Sequence, residues 1–315
     1  MKKVSVVMCT YNGESYLREQ LDSLVNQTYP IHELIIQDDG STDNTLHIAE
    51  EYRAQYPDAH IKIYPNPKQL GFNRNFFSAY GKATGELITS CDQDDIWELH
   101  KIETLVREIE GCAFIFHNSV LFNSQRELGK LHRKKLVQYP HPASAVLMPQ
   151  SFGHQIMFIK EALPLLEAFS DYNLSYDYFI YTLCSSIGKI KYIDEPLVRW
   201  RRHDDAATYS GKHGSDNKLY GYYRAIRSLF LHSNRETTKD YFKLCTQIDF
   251  GNKDINTIVR YMSKGTLWHL FKVCYLCQKY KQELVTDKTG MIQGVRAFFI
   301  PLFFIRDYGC YILRK

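Results

Sequence analysis

Short apolar segments alternate with helical patterns in the N-terminal third of the chain, and this alternation limits the folds that it can adopt. Strand-like runs cover residues 3–9, 33–37, 60–64 and 86–90, and apolar residues at helical spacing follow each run. Strands that alternate with helices predict a parallel sheet with right-handed crossovers and helices on its faces. Ligands of such sheets bind beyond the carboxyl ends of the strands. The residues that follow each strand are therefore the first candidates for a site.

Polar residues follow three of these strands. Thr10 and Tyr11 follow the first strand, Asp38 and Asp39 the second, and the turn at residues 92–95 the fourth. One crevice is therefore expected to collect an aromatic ring, a hydrogen-bonding carboxylate and a cluster of acids. The loop after the first strand has no GxGxxG pattern and the chain has no GxxxxGK[ST] pattern, which disfavours a dinucleotide dehydrogenase and a P-loop NTPase.

The turn after the fourth strand carries three carboxylates within four residues, Asp92, Asp94 and Asp95. Such acids repel one another unless a cation or several donors neutralise them, so the turn predicts a site for a hard divalent ion such as Mn²⁺ or Mg²⁺. Asp92 and Asp94 are expected to aim at one point while Gln93 faces away. The alternative is a solvated loop in which an aspartate caps the next helix.

The composition is that of a soluble globular protein, with 44% apolar and 23% charged residues. The net charge of +4 is too small to indicate a nucleic-acid partner. Eight cysteines at irregular spacing, mostly in apolar runs, favour reduced and buried thiols in a cytoplasmic protein. The N-terminus has the pattern of a first strand and not of a signal peptide.

The second half of the chain changes character. Residues 124–138 form a basic excursion that we interpret as a surface hairpin, with a functional flap as the alternative. A helix is predicted over residues 174–187, with Asp177 near its start. Strands at residues 189–193 and 197–200 then run into Arg201, Arg202 and His203.

From about residue 217 onward the chain is expected to be helical, so we place a catalytic domain at residues 1–210 and a helical region at 211–315. Residues 256–315 contain ten Lys or Arg and three acids, and the longest uncharged run in the apolar tail is nine residues. That run is too short to span a bilayer. A basic, aromatic, amphipathic segment favours a helix on an anionic membrane surface. The alternative is a helix that packs on the catalytic domain or on another subunit.

A nucleotide-diphosphate sugar would find complementary groups in this crevice. Tyr11 could stack on the base, and Asp39 could accept a hydrogen bond from an imide N–H. Asp92 and Asp94 could hold a divalent ion opposite the diphosphate, with His203 as a further ligand. Arg201 or Arg202 could contact a phosphate oxygen. Asp177 could act as the general base.

Several motifs together resemble the inverting family 2 glycosyltransferases of GT-A fold, and within them bacterial polysaccharide enzymes often described as rhamnosyltransferases. The matching stretches are SVVMCTYNGESYLREQLDSLVNQTYP, ELIIQDDGSTDNT, LGFNRNF, DQDDIW, YDYFIY and YIDEPLVRWRRH, which together cover residues 3 to about 205. The resemblance implies a Rossmann-like, mostly parallel sheet flanked by helices, with a C-terminal helical extension.

The resemblance also implies roles for individual residues. Those implied to bind the nucleotide are Thr10, Tyr11, Asp39, Arg74 and Asp92; those implied to bind the metal are Asp94 and His203; Asp177 would be the base. Arg202 completes the expected donor contacts, and Gly153 and His154 fall where the family has an acceptor-facing loop. The sequence departs from the family at Tyr176, before the base, and at His100, where the family has a proline.

The implied activity is the inverting, metal-dependent transfer of a sugar such as rhamnose from a dTDP or UDP donor to a saccharide or lipid-linked acceptor in polysaccharide synthesis, on the cytoplasmic side of the membrane. A retaining mechanism would need a second nucleophile, and none can be placed. A sugar-1-phosphate nucleotidyltransferase would need a basic, glycine-rich loop where this chain has CTYNGES. A catalytically silent nucleotide-sugar binder or scaffold is the alternative of another class, and it would be expected to lack Asp177 or an acid of the turn.

Overall fold

A computed structural model of the chain describes residues 1–133, 136–202, 218–309 and 312–314. The chain forms two compact units. The first contains Met1–Gln138, Ser151–Asp171 and Gly188–Tyr209, and the second contains Tyr139–Gln150, Tyr172–Ile187 and Ser210–Lys315. The second unit therefore contains two earlier segments as well as the C-terminal part of the chain.

Strands and helices are each numbered in chain order. The strands are β1 (Val4–Thr10), β2 (Glu33–Asp38), β3 (Ile61–Pro65), β4 (Leu87–Cys91), β5 (Ile96–Trp97), β6 (Phe114–Phe122), β7 (Glu127–Lys130), β8 (Ile156–Ile159), β9 (Asn173–Leu174), β10 (Ile190–Arg201) and β11 (Leu313–Arg314). The helices are α1 (Leu17–Val25), α2 (Thr45–Gln55), α3 (Phe72–Tyr80), α4 (Lys101–Glu108), α5 (Pro142–Leu147), α6 (Leu163–Glu167), α7 (Tyr176–Ile187), α8 (Lys218–Ser228), α9 (His232–Cys245), α10 (Lys253–Lys264), α11 (Leu267–Lys279), α12 (Lys281–Leu284) and α13 (Gly290–Tyr308).

The first unit contains a mixed nine-stranded sheet in the order β3-β2-β1-β4-β8-β6-β10-β5, with β7 paired to β6. The pairs among β3, β2, β1 and β4 and the pair β6–β10 are parallel. Strands β8, β5 and β7 run against their neighbours. The prediction of a mostly parallel sheet flanked by helices is confirmed, because six of the nine strands share one direction.

The core of this unit explains why the predicted elements form. Strands β1, β2 and β4 are almost wholly buried and rich in Val, Ile and Leu, as expected of strands covered on both faces. Helix α1 turns Leu17, Leu21 and Leu24 into the same cluster, and Ile102 and Leu105 of α4 join them. The sheet therefore fixes the loops at its carboxyl edge.

Three features of the sheet confirm or correct the prediction from the sequence. The basic excursion contains the expected hairpin, since Val120 of β6 pairs antiparallel with Lys130 of β7. The two strands predicted at residues 189–193 and 197–200 are one strand, β10, whose register shifts near Pro196. Strand β8 enters between β4 and β6, and nothing in its local sequence shows that it runs antiparallel.

The second unit is mainly helical, and its small sheet is the antiparallel pair β9–β11. Helix α13 is 19 residues long and contains Pro301. It packs against α8 and α11, with Ala225, Cys274 and Leu302 in the buried cluster among them. No helix in the described part of the chain is both long and apolar enough to cross a bilayer.

Candidate functional site

The loops after β1 and β2 are tied together by buried aspartates. The Thr10 hydroxyl donates to Asp38 Oδ1 at 2.8 Å, and the Ser41 hydroxyl and the backbone N–H groups of Gly40 and Ser41 also donate to Asp38. The Asp39 N–H donates to the Thr10 carbonyl at 2.8 Å. Four donors thus satisfy the buried carboxyl group of Asp38. Thr10, a predicted nucleotide contact, uses its hydroxyl to fix this loop.

Asp39 is only 3% exposed, and the loop at residues 66–71 surrounds its carboxylate. Asn66 Nδ2 and the Leu70 N–H donate to Oδ1 at 2.8 and 2.6 Å, and the Gly71 N–H donates to Oδ2 at 2.8 Å. Gly71 has φ of 80°, a conformation that favours glycine and that directs its N–H toward the acid. Three donors therefore orient the group predicted to accept a hydrogen bond from a base.

Tyr11 presents its ring to solvent, with 46% of the residue exposed, while its backbone is held by the acidic turn. The Tyr11 N–H donates to Gln93 Oε1 at 2.9 Å, and Gln93 Nε2 donates to the Tyr11 carbonyl at 3.0 Å. The Gln93 amide thus joins the turn after β4 to the loop after β1. An exposed ring on a fixed backbone can stack on a flat ligand.

Asp95 is fully buried directly before β5. Its Oδ1 accepts the Arg201 N–H at 3.0 Å, because β5 and β10 pair antiparallel there. Its Oδ2 has no hydrogen-bond partner among the described residues. Burial, followed by the neighbouring Asp94 and Asp92, raises the pKa of Asp95 well above its ordinary range. A buried carboxyl with an unused oxygen beside other acids is the electrostatic setting that a cation relieves.

His154 lies in the short helical turn at Gly153–Gln155, just before β8. It is buried, and its Nε2 lies 2.9 Å from the Ser119 hydroxyl of β6. Its Nδ1 lies 4.0 Å from Oδ2 of Asp92, whose side chain is partly exposed. Burial, with a further contribution from Lys101, lowers the pKa of His154 well below its ordinary value. The imidazole is therefore neutral at pH 7, the form that binds metal ions.

Asp92, Asp95 and His154 can together hold a divalent ion. One ligand atom from each lies within 4.8 Å of the others. Two ligand atoms about 2.2 Å from one ion lie at most about 4.4 Å apart, so a small contraction would complete the set. Asp95 offers an oxygen without a hydrogen-bond partner among the described residues, and His154 offers a neutral imidazole, so both can act as ligands.

Lys101 places a buried amine close to this cluster. Its Nζ donates to the His154 carbonyl at 2.8 Å and lies 3.3 Å from the centroid of the Trp97 ring. Burial lowers the pKa of Lys101 to about 7, although Cys91, Asp95 and Asp92 act in the opposite direction. Lys101 thus fixes the backbone of the loop that carries His154.

The three arginines named from the sequence have different surroundings. Arg201 is engaged in the fold, because its Nε donates to the Asp94 carbonyl at 2.8 Å and its guanidinium pairs with Glu19. Arg202 is half-buried, with its guanidinium 4.5 Å from the centroid of the Trp200 ring. Arg74 is exposed in the first turn of α3 and donates to the Asp171 carbonyl at 3.2 Å.

The remaining predicted residues are Asp94, His203 and Asp177. Asp94 is partly exposed in the acidic turn but is not a member of the three-residue cluster. His203 lies outside the described residues. Asp177 belongs to the second unit, in the first turn of α7, where the Ser175 hydroxyl and the Tyr178 N–H donate to its Oδ1 at 2.8 and 2.9 Å.

Sequence reasoning assigned no metal role to Asp95 or His154. Asp95 carries a detectable signal, because it is the acid nearest to the apolar pair Ile96-Trp97 and is drawn into the core with it. Apart from the adjacent Gly153, the sequence around His154 gives no such signal, because the position of His154 depends on the pairing of β8 with β4 and β6.

Comparison with known proteins agrees with this architecture. The sequence model described as Glycosyl transferase family 2 matches residues 5–161. An uncharacterized glycosyltransferase of Haemophilus influenzae is 29% identical over 214 residues, which cover 64% of this chain and 65% of that protein. The dTDP-rhamnosyl transferase RfbG of Shigella flexneri is 29% identical over 214 residues, 63% of this chain and 72% of RfbG. The crystal structure of S. aureus TarS 1-349 superposes with a TM-score of 0.57 at 15% identity, covering 96% and 89% of the two chains, and shows the same GT-A fold.

Proposed function

Because this chain belongs to glycosyltransferase family 2, whose domain occupies residues 5–161, we propose that it transfers a sugar from a nucleotide-diphosphate donor to a saccharide or lipid-linked acceptor in bacterial polysaccharide synthesis. The observation that carries this proposal is the cluster of Asp92, Asp95 and His154, beside the hydrogen-bonded loops at the carboxyl ends of β1, β2 and β4. An open α/β sheet offers its ligand site at that edge.

The donor we propose is a dTDP or UDP sugar, with rhamnose among the sugars to be tested. The Tyr11 ring would stack on the base, and Asp39 would accept its imide N–H. The three loop donors leave one of the four lone pairs of the Asp39 carboxylate for a further donor, which suits the single imide N–H of thymine or uracil. The Shigella relative is a dTDP-rhamnosyl transferase, which agrees with this choice. Thr10 and Arg74 would complete the nucleotide contacts.

The metal site we propose is built on Asp92, with Asp95 and His154 as the ligands that geometry favours and Asp94 and His203 as those that the family resemblance implies. When bound, Mn²⁺ or Mg²⁺ supplies positive charge at the diphosphate leaving group. Arg202 would add a guanidinium to the same phosphate oxygens. Lys101 would hold the His154 loop in place through its hydrogen bond to the His154 carbonyl.

The reaction we propose is a single displacement with inversion. An Asp177 oxygen accepts the proton of the acceptor hydroxyl while that hydroxyl oxygen forms its bond to the anomeric carbon. The bond from the anomeric carbon to the diphosphate oxygen breaks at the same time, and the nucleoside diphosphate leaves with the electron pair. The Ser175 hydroxyl and the Tyr178 N–H would hold the carboxylate in one orientation.

The experiment separates donor binding from transfer. A thermal-shift panel of dTDP, UDP and GDP sugars, with and without Mn²⁺, identifies the donor, and release of nucleoside diphosphate measures transfer. Asp177→Asn is expected to lower transfer by about a thousandfold or more while the donor-induced shift stays within error. The matched control is Glu283→Gln, a neutralised acid on the surface of the same unit. Full activity in Asp177→Asn would remove Asp177 from the mechanism, and no shift with any donor would overturn the proposal.

A further inference from the structure

Two neighbouring helices of the second unit expose a continuous apolar surface. The aromatic face, as we name it, consists of Leu267, Trp268, Phe271 and Tyr275 of α11 with Met291, Ile292 and Val295 of α13. Each of these residues is between 46% and 84% exposed. Their spacing of one, three and four residues places them on one stripe of each helix. Isolated exposed apolar residues are ordinary, but two adjacent stripes of large side chains are not.

The two stripes are joined by direct contacts between the helices. The rings of Phe271 and Phe298 lie 5.9 Å apart, and Gln278 Nε2 donates to the Gly294 carbonyl at 2.8 Å. Two shallow depressions mark the surface. One, of about 340 Å³, is lined by Trp268, Phe271 and Tyr275, and the other, of about 530 Å³, is lined by Met291, Val295 and neighbouring residues. The helices therefore present a single surface with open apolar hollows.

Positive charge accompanies this surface. Residues 253–308 carry nine Lys or Arg and four Asp or Glu, a net charge of +5, whereas the whole chain has +4. The remaining residues therefore sum to −1. Lys272 lies within the face, with its ammonium 5.0 Å from the Trp268 ring and 5.4 Å from the Tyr261 ring. Of the nearby acids, Asp287 pairs with Arg296 and Asp254 with Lys279.

We propose that the aromatic face docks on the surface of an anionic phospholipid bilayer. Tryptophan and tyrosine favour the depth of the headgroups, and the apolar residues beside them can enter the upper acyl region. Lys272 lies among these rings, and a cation there is attracted to anionic headgroups, by about a fivefold gain in binding for each cation. Because the apolar side chains form one stripe of each helix, both helices would lie in the plane of the bilayer surface.

This inference stands on the second unit alone and does not rest on the proposed transferase activity. It would, however, bring the enzyme to the surface where a lipid-linked acceptor resides. A face used for pairing two copies of the chain would also be apolar, but it would gain nothing from an excess of like charges on both copies. Charge complementarity therefore favours the bilayer.

The test is flotation of the full chain with vesicles. The wild type is expected to bind vesicles of phosphatidylcholine mixed with phosphatidylglycerol, to bind phosphatidylcholine alone at least about tenfold more weakly, and to be released by about 0.5 M salt. Trp268→Ser with Phe271→Ser is expected to weaken binding by about tenfold or more, and Lys272→Gln by about fivefold. Met291→Ser with Ile292→Ser provides an independent pair of substitutions on α13.

The matched control is Leu165→Ser, which removes an exposed apolar side chain from α6 of the first unit and is expected to leave binding unchanged. Circular dichroism verifies that each variant is folded. The donor-induced thermal shift, measured separately, distinguishes a loss of donor binding from a loss of lipid binding. No binding of the wild type to anionic vesicles would overturn the inference. A dimer by light scattering that the Trp268 and Phe271 substitutions abolish, without any lipid binding, would overturn it in favour of a second copy.

Discussion

Each end of the sheet in the first unit contains a buried acid, and the pKa values of these two acids are shifted in opposite directions. At the amino end, Glu33 of β2 accepts hydrogen bonds from Lys62, Ser5 and both the N–H and the hydroxyl of Thr84. Burial by itself opposes ionisation, but these donors outweigh it and lower the pKa of Glu33 to about 2. At the carboxyl end, the Asp95 side chain accepts the Arg201 N–H but keeps an unused oxygen, and its pKa is raised.

The difference indicates that Glu33 stabilises the fold and that Asp95 belongs to the candidate site. An anion with a full set of donors adds stability, whereas an anion buried without them costs stability until a ligand arrives. Strongly shifted acids of the second kind cluster at functional sites. Glu33 and Asp95 are therefore expected to respond to substitution and to pH with opposite signs.

Removing the acid at the amino end is expected to be the most damaging change. Glu33→Ala would leave the Lys62, Ser5 and Thr84 donors without their acceptor and lower the free energy of unfolding by about 3 kcal/mol or more. Urea denaturation measures this loss. Glu161→Ala, an exposed acid of the same unit, is the control and is expected to change stability by less than about 0.5 kcal/mol. A loss below about 1 kcal/mol in Glu33→Ala would show that the two acids do not differ in this way.

The pH dependence of stability is expected to reveal the same carboxylate. Because the folded pKa of Glu33 lies below the unfolded value, its contribution is complete above pH 4.5 and is lost as pH falls from 4.5 toward 2. The loss amounts to about 3 kcal/mol. Urea titrations of the wild type and of Glu33→Gln across this range would show the difference between them shrink with falling pH. Parallel curves would contradict the assignment.

Replacing the acid at the carboxyl end is expected to have the smallest effect on stability and the opposite sign. Since the folded pKa of Asp95 is raised, its ionised form opposes folding as pH rises above the ordinary value of 3.8. Asp95→Asn is therefore expected to leave the unfolding free energy at pH 7 without divalent ions unchanged or raised by about 1 kcal/mol. The same substitution is expected to reduce the thermal stabilisation by Mn²⁺. Asp58→Asn, an exposed acid, is the control. A clear loss of stability without Mn²⁺ would make Asp95 a structural acid like Glu33.

The local sequence pattern predicts those strands and helices whose formation depends on the pattern itself. Strands β1 to β4 were predicted because each is a short apolar run, and the helices after them because their apolar side chains recur at helical spacing. The hairpin of β6 and β7 followed from a polar segment between strand-like runs. The placement of β8 could not be predicted, because the direction of a short apolar strand depends on its partners and not on its own residues.

In the candidate site too, some features could be predicted from the sequence and others depend on the tertiary structure. The order of residues was enough to predict that acids, a tyrosine and a threonine would follow parallel strands and meet at one edge of the sheet, because that edge results from the alternation of strands and helices. Contacts between distant segments were needed to bury Asp95, 106 residues from Arg201, with one oxygen unused, and to bring Lys101 to the backbone of His154, 53 residues away. Hydrogen bonds and charge burial depend on which distant segments pack together, and local periodicity carries no information about that choice.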